Sequence, residues 1–280
     1  MVHSSPRLPT RDEWIDRGVH VGVELHAGKQ SRVFAATVDG QSVAVKLTDG
    51  ALALPDLVTE RARVVEALAG LIDEVAAPIR FDGELVHPLG DWLMTATPFV
   101  GGRHLDIVER ADADMMGRTL ARMHEALTLL PTFDVPTVAA LDVTGADTSS
   151  TGWQLLHGDF SDQNAIVTPT GLRVFDFDEC GYGPVAYDLA NSLYMVLFDA
   201  TVTSRPSRYE SFRPVFLDGY GDAAGSSVDE SAVDSMIDTR VDALDRWLDD
   251  LPNAPIGIRT SPPEWHDTLR GFLSAYRPSA

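Results

Sequence analysis

The chain has 280 residues, 44% of them hydrophobic, enough to bury a sizeable core in one large domain or two lobes. Its 42 acids against 22 Lys and Arg give a formal charge of -20. This argues against a polyanion such as nucleic acid as the main partner and leaves two readings, acidity that serves solubility or acidity that favours a cationic small molecule.

A single cysteine, Cys180, excludes an intramolecular disulfide and a cysteine-based zinc site. No run approaches the roughly 20 apolar residues of a membrane span, so a reducing, cytoplasmic setting without membrane contact is expected. Residues 1–17 read as a polar lead-in ending in a short helix over Arg11 to Asp16. Val19 to Leu25 and Arg32 to Val38 read as strands around the loop HAGKQS, and Asp39-Gly40 is a two-residue hairpin turn. HAGKQS is not a Walker phosphate loop, because Gln30 separates Lys29 from Ser31 and a strand, not a helix, follows. A flap between two strands, with Gly28 and the Ser31 hydroxyl near phosphate, fits better.

Along Ser42 to Leu47, Val43, Val45 and Leu47 share one face while Ala44 and Lys46 share the other. A lysine beside a small residue leaves flat room for an adenine ring and a charge that reaches phosphates; the alternative is a lysine on a solvated sheet face. Pro55 to Ile72 reads as a helix with Leu57, Val64, Leu68 and Leu71 in one stripe, Glu60 within it and Glu66 outside. An inward glutamate wants a cation, and Lys46 is the expected partner of Glu60; a boundary glutamate at the edge of the stripe is the alternative. Ile79 to Phe81, Glu84 to His87 and Asp91 to Thr95 read as strands closing a small sheet. The Thr95 to Pro98 segment is expected to break it and form a hinge.

Ala113 to Leu130 is a helix with Met116, Leu120, Met123, Leu127 and Leu130 buried, and His124 in it reads as a hydrogen-bonded structural residue. The Pro-, Thr- and Gly-rich stretch 131–152 reads as a loop. Val167 and Leu172 to Phe175 then flank the turn TPTG in a tight hairpin. Pairing about Thr170 sets Asn164 opposite Asp176, with Cα atoms on the order of 5 Å apart. A carboxylate and a carboxamide oxygen at one hairpin mouth suit Mg2+, and Asp159, just ahead, is placed to orient or deprotonate a hydroxyl. Taken singly, His157, Asp159 and Asn164 each read better as turn residues making loop hydrogen bonds. Asp178 is either a second layer around the metal or an alternating strand residue. An apolar helix starts near Pro184, an amphipathic one spans Asp229 to Leu251, and a last one runs from Glu264 to about Tyr276. On the Asp229 to Leu251 helix, Asp234, Asp238, Asp242, Asp245 and Asp249 form either a solvated face or an attraction for a cationic acceptor.

The ordered set H-G-D-x-x-x-x-N at His157 to Asn164, a hairpin, then D-F-D at Asp176 to Asp178 resembles the catalytic and metal segments of the aminoglycoside phosphotransferase and choline kinase family, distant relatives of protein kinases. VAVK ending at Lys46 resembles the nucleotide-binding strand of kinases, and LARMHEAL around His124 a recurring helix of the family. The resemblance implies an α+β, two-lobed, protein-kinase-like fold. A small antiparallel-sheet lobe, 1–96, would bind nucleotide, and a mainly helical lobe, 97–280, would carry catalysis and the acceptor. It implies transfer of the γ-phosphoryl group of ATP, or GTP, to a small-molecule hydroxyl. Asp159 would orient or deprotonate the acceptor, Asn164 and Asp176 would hold Mg2+, and Lys46, kept in place by Glu60, would clamp phosphates. Thr95, Ala96 and Thr97 would read the adenine edge through their backbone, Met94 would line the pocket, and Asp188 would brace the catalytic loop. Only nine positions separate Asp176 from Val185 (185 - 176), too few for the segment with which protein kinases dock peptides. Acceptors in the family include aminoglycosides, other antibiotics, choline, homoserine and sugars. The acidic charge leans toward a cationic antibiotic, with resistance as the outcome; a metabolic kinase and a catalytically silent nucleotide-binding module are the alternatives.

Overall fold

The computed structural model describes residues 6–27, 31–145 and 152–277. The chain divides into two units, Met1–Gly101 and Gly102–Ala280.

In the first unit, Thr10 closes a capping box with Glu13 and starts the short helix α1 (Arg11–Ile15), which buries Trp14. Three antiparallel strands follow, β1 (Val19–Ala27), β2 (Ser31–Val38) and β3 (Gln41–Asp49). Asp39 and Gly40, with φ of 49° and 79°, form the expected hairpin turn between the last two. After α2 (Pro55–Ala69) come β4 (His87–Leu89) and β5 (Trp92–Pro98), and the sheet order is β1-β2-β3-β5-β4. The alternation read from β3 is observed: Val43, Val45 and Leu47 are wholly buried in a cluster with Trp14, Phe34, Met94 and Ala96.

Three expectations for this unit are corrected. α2 stops at Ala69, so Leu71 lies beyond it and is 48% exposed; Val64 and Leu68 carry the buried stripe. Ile79 to Phe81 and Glu84 to His87 are not strands, and only the Phe81–Glu84 bridge and the short β4 occur there. Thr95 to Pro98 does not break the sheet either. β5 runs through it, pairing Thr95, Ala96 and Thr97 with Lys46, Val45 and Ala44. Threonines suit a strand, and Pro98 pairs at its very end, where few ladder bonds are lost.

The second unit opens with β6 (Arg103–His104), α3 (Arg110–Thr128) and α4 (Ala139–Thr144). Within the stretch expected to be loop, α4 is therefore helical, and residues 146–151 of that stretch lie outside the described residues. Next come β7 (Trp153–Leu156), β8 (Ala165–Thr168), β9 (Gly171–Val174) and β10 (Gly181–Pro184), forming a β6-β8-β9 sheet and a β7-β10 pair. The helices α5 (Val185–Val202), α6 (Pro206–Ala224), α7 (Glu230–Asp249), α8 (Ile256–Arg259) and α9 (Pro263–Tyr276) complete it. Sequence reading did not anticipate α6, whose interior Pro214 obscures its period. It crosses α3 closely: a Cβ on Gly117 would lie 2.1 Å from the Phe216 carbonyl oxygen. Among the described residues no helix is long and apolar enough to cross a membrane.

Candidate active site

The loop after β7 is held from below by one buried carboxylate. Asp188, in the first turn of α5, accepts the main-chain N–H of His157 at 2.8 Å with Oδ2 and that of Gly158 at 2.9 Å with Oδ1. Its Oδ2 also meets His124 Nε2 of α3 at 3.1 Å, while His124 Nδ1 meets the Tyr220 hydroxyl of α6 at 2.9 Å. Three helices thus converge on one loop, and Asp188 braces it as the resemblance implied. Burial pushes the Asp188 carboxyl up, but the hydrogen bond and charge of His124 and the loop N–H groups outweigh it and hold it below the usual range. Gly158 has φ of 84°, and a Cβ there would lie 2.0 Å from the Glu179 carbonyl oxygen, so only glycine fits.

His157 is buried and serves the loop rather than a substrate. The Asp159 N–H donates to its Nδ1 at 3.2 Å, which leaves Nε2 protonated to donate to the Phe175 carbonyl at 3.2 Å. The ring links the catalytic loop to the end of the hairpin.

Asp159 is half-buried and accepts from two amides. Asn164 Nδ2 donates to its main-chain oxygen at 2.8 Å and to its Oδ2 at 3.0 Å; Asn191 Nδ2 of α5 donates to its Oδ1 at 3.2 Å. Burial lifts the Asp159 carboxyl above the usual carboxylate value, and Asp176 adds to this. The charge of Arg240 and the Asn191 hydrogen bond oppose it. A carboxylate raised in this way is a better proton acceptor than one left in water.

The hairpin register differs by one residue from the expected one. Val167 pairs with Leu172 and Thr168 with Gly171, so the turn is Pro169-Thr170, and Asn164 faces Phe175 instead of Asp176. The Phe175 N–H donates to the Asn164 carbonyl at 3.0 Å. A one-residue slip in a regular strand would turn Asp176 to the opposite face. Asp176 instead takes φ of 66°, unusual for a non-glycine residue, and leaves strand geometry at that point. Its carboxylate is exposed, and its charge is felt at Asp159.

Since Asn164 Nδ2 is engaged by Asp159, its Oδ1 is the atom left to face a cation. An amide oxygen and one exposed carboxylate form a hard donor set that suits Mg2+, which takes its other ligands from water and phosphate. Among the described residues no group of three or more His, Cys, Asp or Glu is arranged to hold a metal by itself.

In the first unit, the other face of β3 carries the nucleotide candidates. The register sets Ala44 between Ala35 and Thr97, and Lys46 between Val33 and Thr95. The small residues give the flat strip expected beside Lys46. Ser31 begins β2 opposite Thr48, and Gly28 lies outside the described residues. Met94 is wholly buried and Ala96 nearly so, and the Ala96 carbonyl accepts the Ile79 N–H at 2.7 Å. Met94 and Ala96 lie on the Val45 face, within the core of the sheet. Glu60 pairs with Arg63 one turn along α2, at 2.6 Å.

Two site residues escaped sequence reading. Asn191 and Arg240 flank Asp159 only because α5 and α7 pack together, and no local motif marks them. The acidic face of α7, left open between two readings, proves to be engaged. Asp234 pairs with Arg213 at 2.5 Å, Asp238 accepts the Tyr276 hydroxyl at 2.8 Å, and Asp242 pairs with Arg277. Asp245 lies 3.5 Å from Arg277 and Asp249 3.8 Å from Arg270. Most of these bonds tie α7 to α9.

Comparison with known proteins adds a family match over part of the chain and a likeness of fold. Residues 130–232, which hold the whole catalytic loop and hairpin, match the model of the APH family, described as a phosphotransferase enzyme family. No curated protein sequence matches the chain. Among solved structures, an amicoumacin kinase in complex with AMP-PNP and Ca2+ superposes with a TM-score of 0.71 at 17% identity, covering 91% of this chain and 87% of that one. A microcompartment-associated aminopropanol kinase gives 0.68 at 16% identity, covering 94% of each. An aminoglycoside phosphotransferase from Alicyclobacillus acidocaldarius gives 0.59 at 15% identity, covering 98% and 97%. At such identities the likeness is one of fold, the α+β protein-kinase-like architecture expected from the sequence.

Proposed function

We propose, from the premise that this chain belongs through residues 130–232 to the phosphotransferase enzyme family, that it moves the γ-phosphoryl group of ATP to a hydroxyl of a small molecule. The single observation that carries this is the arrangement around Asp159. A half-buried carboxylate of raised proton affinity is held by Asn164 and Asn191, with the exposed Asp176 carboxylate within electrostatic reach.

Asp159 orients the acceptor hydroxyl and takes its proton as the oxygen attacks phosphorus. Asn191 fixes one carboxylate oxygen, leaving the loop little freedom to turn the base away. Asn164 Oδ1 and Asp176 would hold Mg2+, which when bound neutralises charge on the phosphate oxygens. Lys46, on the Ala44 strip, clamps phosphates, with Glu60 as its partner and Ser31 near them; the Thr95 to Thr97 backbone lies beside the base. GTP is the alternative phosphoryl donor.

For the acceptor, the formal charge of -20 and the fold likeness to an amicoumacin kinase and an aminoglycoside phosphotransferase support an amine-bearing antibiotic, with resistance as the outcome. The likeness to an aminopropanol kinase supports a second reading, a metabolic amino alcohol. Either reaction belongs in the ATP-rich cytoplasm. The test is ADP release with ATP, Mg2+ and a panel of antibiotics, amino alcohols, hydroxy amino acids and sugars. Acceptor-dependent turnover that disappears in Asp159→Ala supports the reading, and turnover equal in the two proteins overturns it. Loss of a resistance phenotype in the same variant would single out the antibiotic reading.

A further inference from the structure

The charge that α7 turns inward is positive. Its five aspartates are engaged as described, whereas Arg240 lies on the side of Ile237, Val241 and Leu244, which are buried. Its guanidinium carbon sits 5.1 Å from the ring centre of Tyr194 and 5.9 Å from that of Tyr187. Tyr187, Asn191 and Tyr194 are spaced four and three residues apart on α5, so they form one ridge with Asn191 in the middle. A cation resting on both tyrosines therefore lies over Asn191, the residue that grips Asp159 Oδ1 at 3.2 Å.

This cation is incompletely satisfied. Among the described residues Arg240 Nε is enclosed and has no hydrogen-bond partner, and Asn191 Oδ1 has none either. A buried guanidinium without its hydrogen bonds is costly to maintain unless an incoming group completes the set. Stacking on two rings also holds the planar fork in a fixed orientation, which suits two-point recognition of a carboxylate or phosphate. The residue as a whole is half-buried, with Nε its enclosed nitrogen.

We propose that Arg240 is an acceptor-binding residue, whose guanidinium receives an anionic group, carboxylate, sulfonate or phosphate, on the same small molecule whose hydroxyl is presented to Asp159. This rests on the phosphotransfer reading above and narrows it. An acceptor can still carry an amine, but one whose only charges are positive gives the Arg240 guanidinium no hydrogen-bonded anion and is a poor substrate. Sites built around a polar partner reject analogues lacking it far more strongly than apolar pockets reject a missing methylene.

The experiment screens wild-type protein with ATP and Mg2+ against mixed hydroxyl compounds, using mass spectrometry to find those that gain phosphate. The best acceptor is then compared with its primary amide, and matched pairs are added: serine with ethanolamine, and homoserine with 3-amino-1-propanol. The expected result is a best acceptor bearing an anionic group and a KM at least tenfold higher for its amide. Arg240→Gln raises KM for the acid by a similar factor, moves kcat less and brings acid and amide close together; Arg240→Lys restores part of the difference. Circular dichroism verifies that both variants fold. A best acceptor without an anionic group, or a Gln variant that lowers acid and amide equally, overturns the proposal while leaving phosphotransfer intact. If no compound gains phosphate beyond the level seen with Asp159→Ala, the phosphotransfer reading itself fails and this inference with it.

Discussion

Asn164 spends both its Nδ2 contacts on Asp159, at 2.8 Å to the main-chain oxygen and 3.0 Å to the carboxylate. The candidate metal ligand and the candidate base are thus one hydrogen-bonded unit, and moving either moves the other. Asn164→Ala removes the amide oxygen and frees the Asp159 side chain together, and an error of about 1 Å in such a group costs on the order of 10²-fold in rate. The expected outcome is a fall in kcat of that size or more that added Mg2+ does not recover, measured by steady-state ADP release. Full recovery at high Mg2+ would mean that Asn164 acts through the metal alone.

Asp188 gives a prediction in acid. Its carboxyl is wholly buried, and its pKa in the folded protein is lowered against the pull of burial. A group with a depressed folded pKa contributes stability that is present above its unfolded value, about 3.9 for aspartate, and lost as pH falls through the folded one. Wild-type Tm should therefore decline below about pH 4. Asp188→Asn replaces an acceptor oxygen by a donor facing main-chain N–H groups, and should cost about 3 kcal/mol near neutrality and flatten that decline. Thermal melts from pH 3 to 7 measure both effects; an unchanged Tm in the variant would remove Asp188 from the loop's support.

Gly158→Ala tests the loop backbone. A methyl group 2.0 Å from the Glu179 carbonyl oxygen, at φ of 84°, cannot be placed without moving one of the two segments. The expected cost is about 3 kcal/mol or more, read as a fall in chemical denaturation midpoint. Gly257→Ala, where a Cβ meets open space, is the control and should stay within about 1 kcal/mol of wild type.

Lys46→Met tests the nucleotide strip in the first unit. Lys46 lies on the face of β3 opposite the wholly buried Val43, Val45 and Leu47, so its replacement should leave Tm nearly unchanged. If it clamps phosphates, kcat/KM for ATP falls about 10²-fold, in the range seen for loss of a single electrostatic contact to a reacting group. An unchanged value would return Lys46 to a solvated sheet face. Glu60→Gln should act in the same direction but more weakly, since Glu60 also pairs with Arg63.

The sequence was most legible where one residue type repeats at one period. β3 alternates cleanly, and its three apolar residues are wholly buried. It was least legible where packing or a turn decides. TPTG permits a turn of two or three residues, and the two-residue choice shifted the hairpin by one, so Asn164 met Phe175. Thr95 to Pro98 resembles a break, but pairing with β3 keeps it extended. α6 hid behind Pro214, Gly219 and Gly221. Asn191 and Arg240 carry no local signal because their neighbourhood is made by helices α5 and α7, far apart along the chain. The aspartate run on α7 was readable as a charge face, yet its ion-pair partners on α6 and α9 were not.

The central assignment is that Asp159 receives the acceptor proton during phosphoryl transfer, and one measurement addresses it most directly. Wild-type protein and Asp159→Asn are given ATP labelled in the γ-phosphoryl group with the best acceptor, and label on the acceptor is followed over a single turnover. The Asn variant keeps the shape and one acceptor oxygen but cannot take a proton. A rate lower by about 10²- to 10⁴-fold, with ATP affinity unchanged, is the predicted result. Label transferred at the wild-type rate would contradict the account.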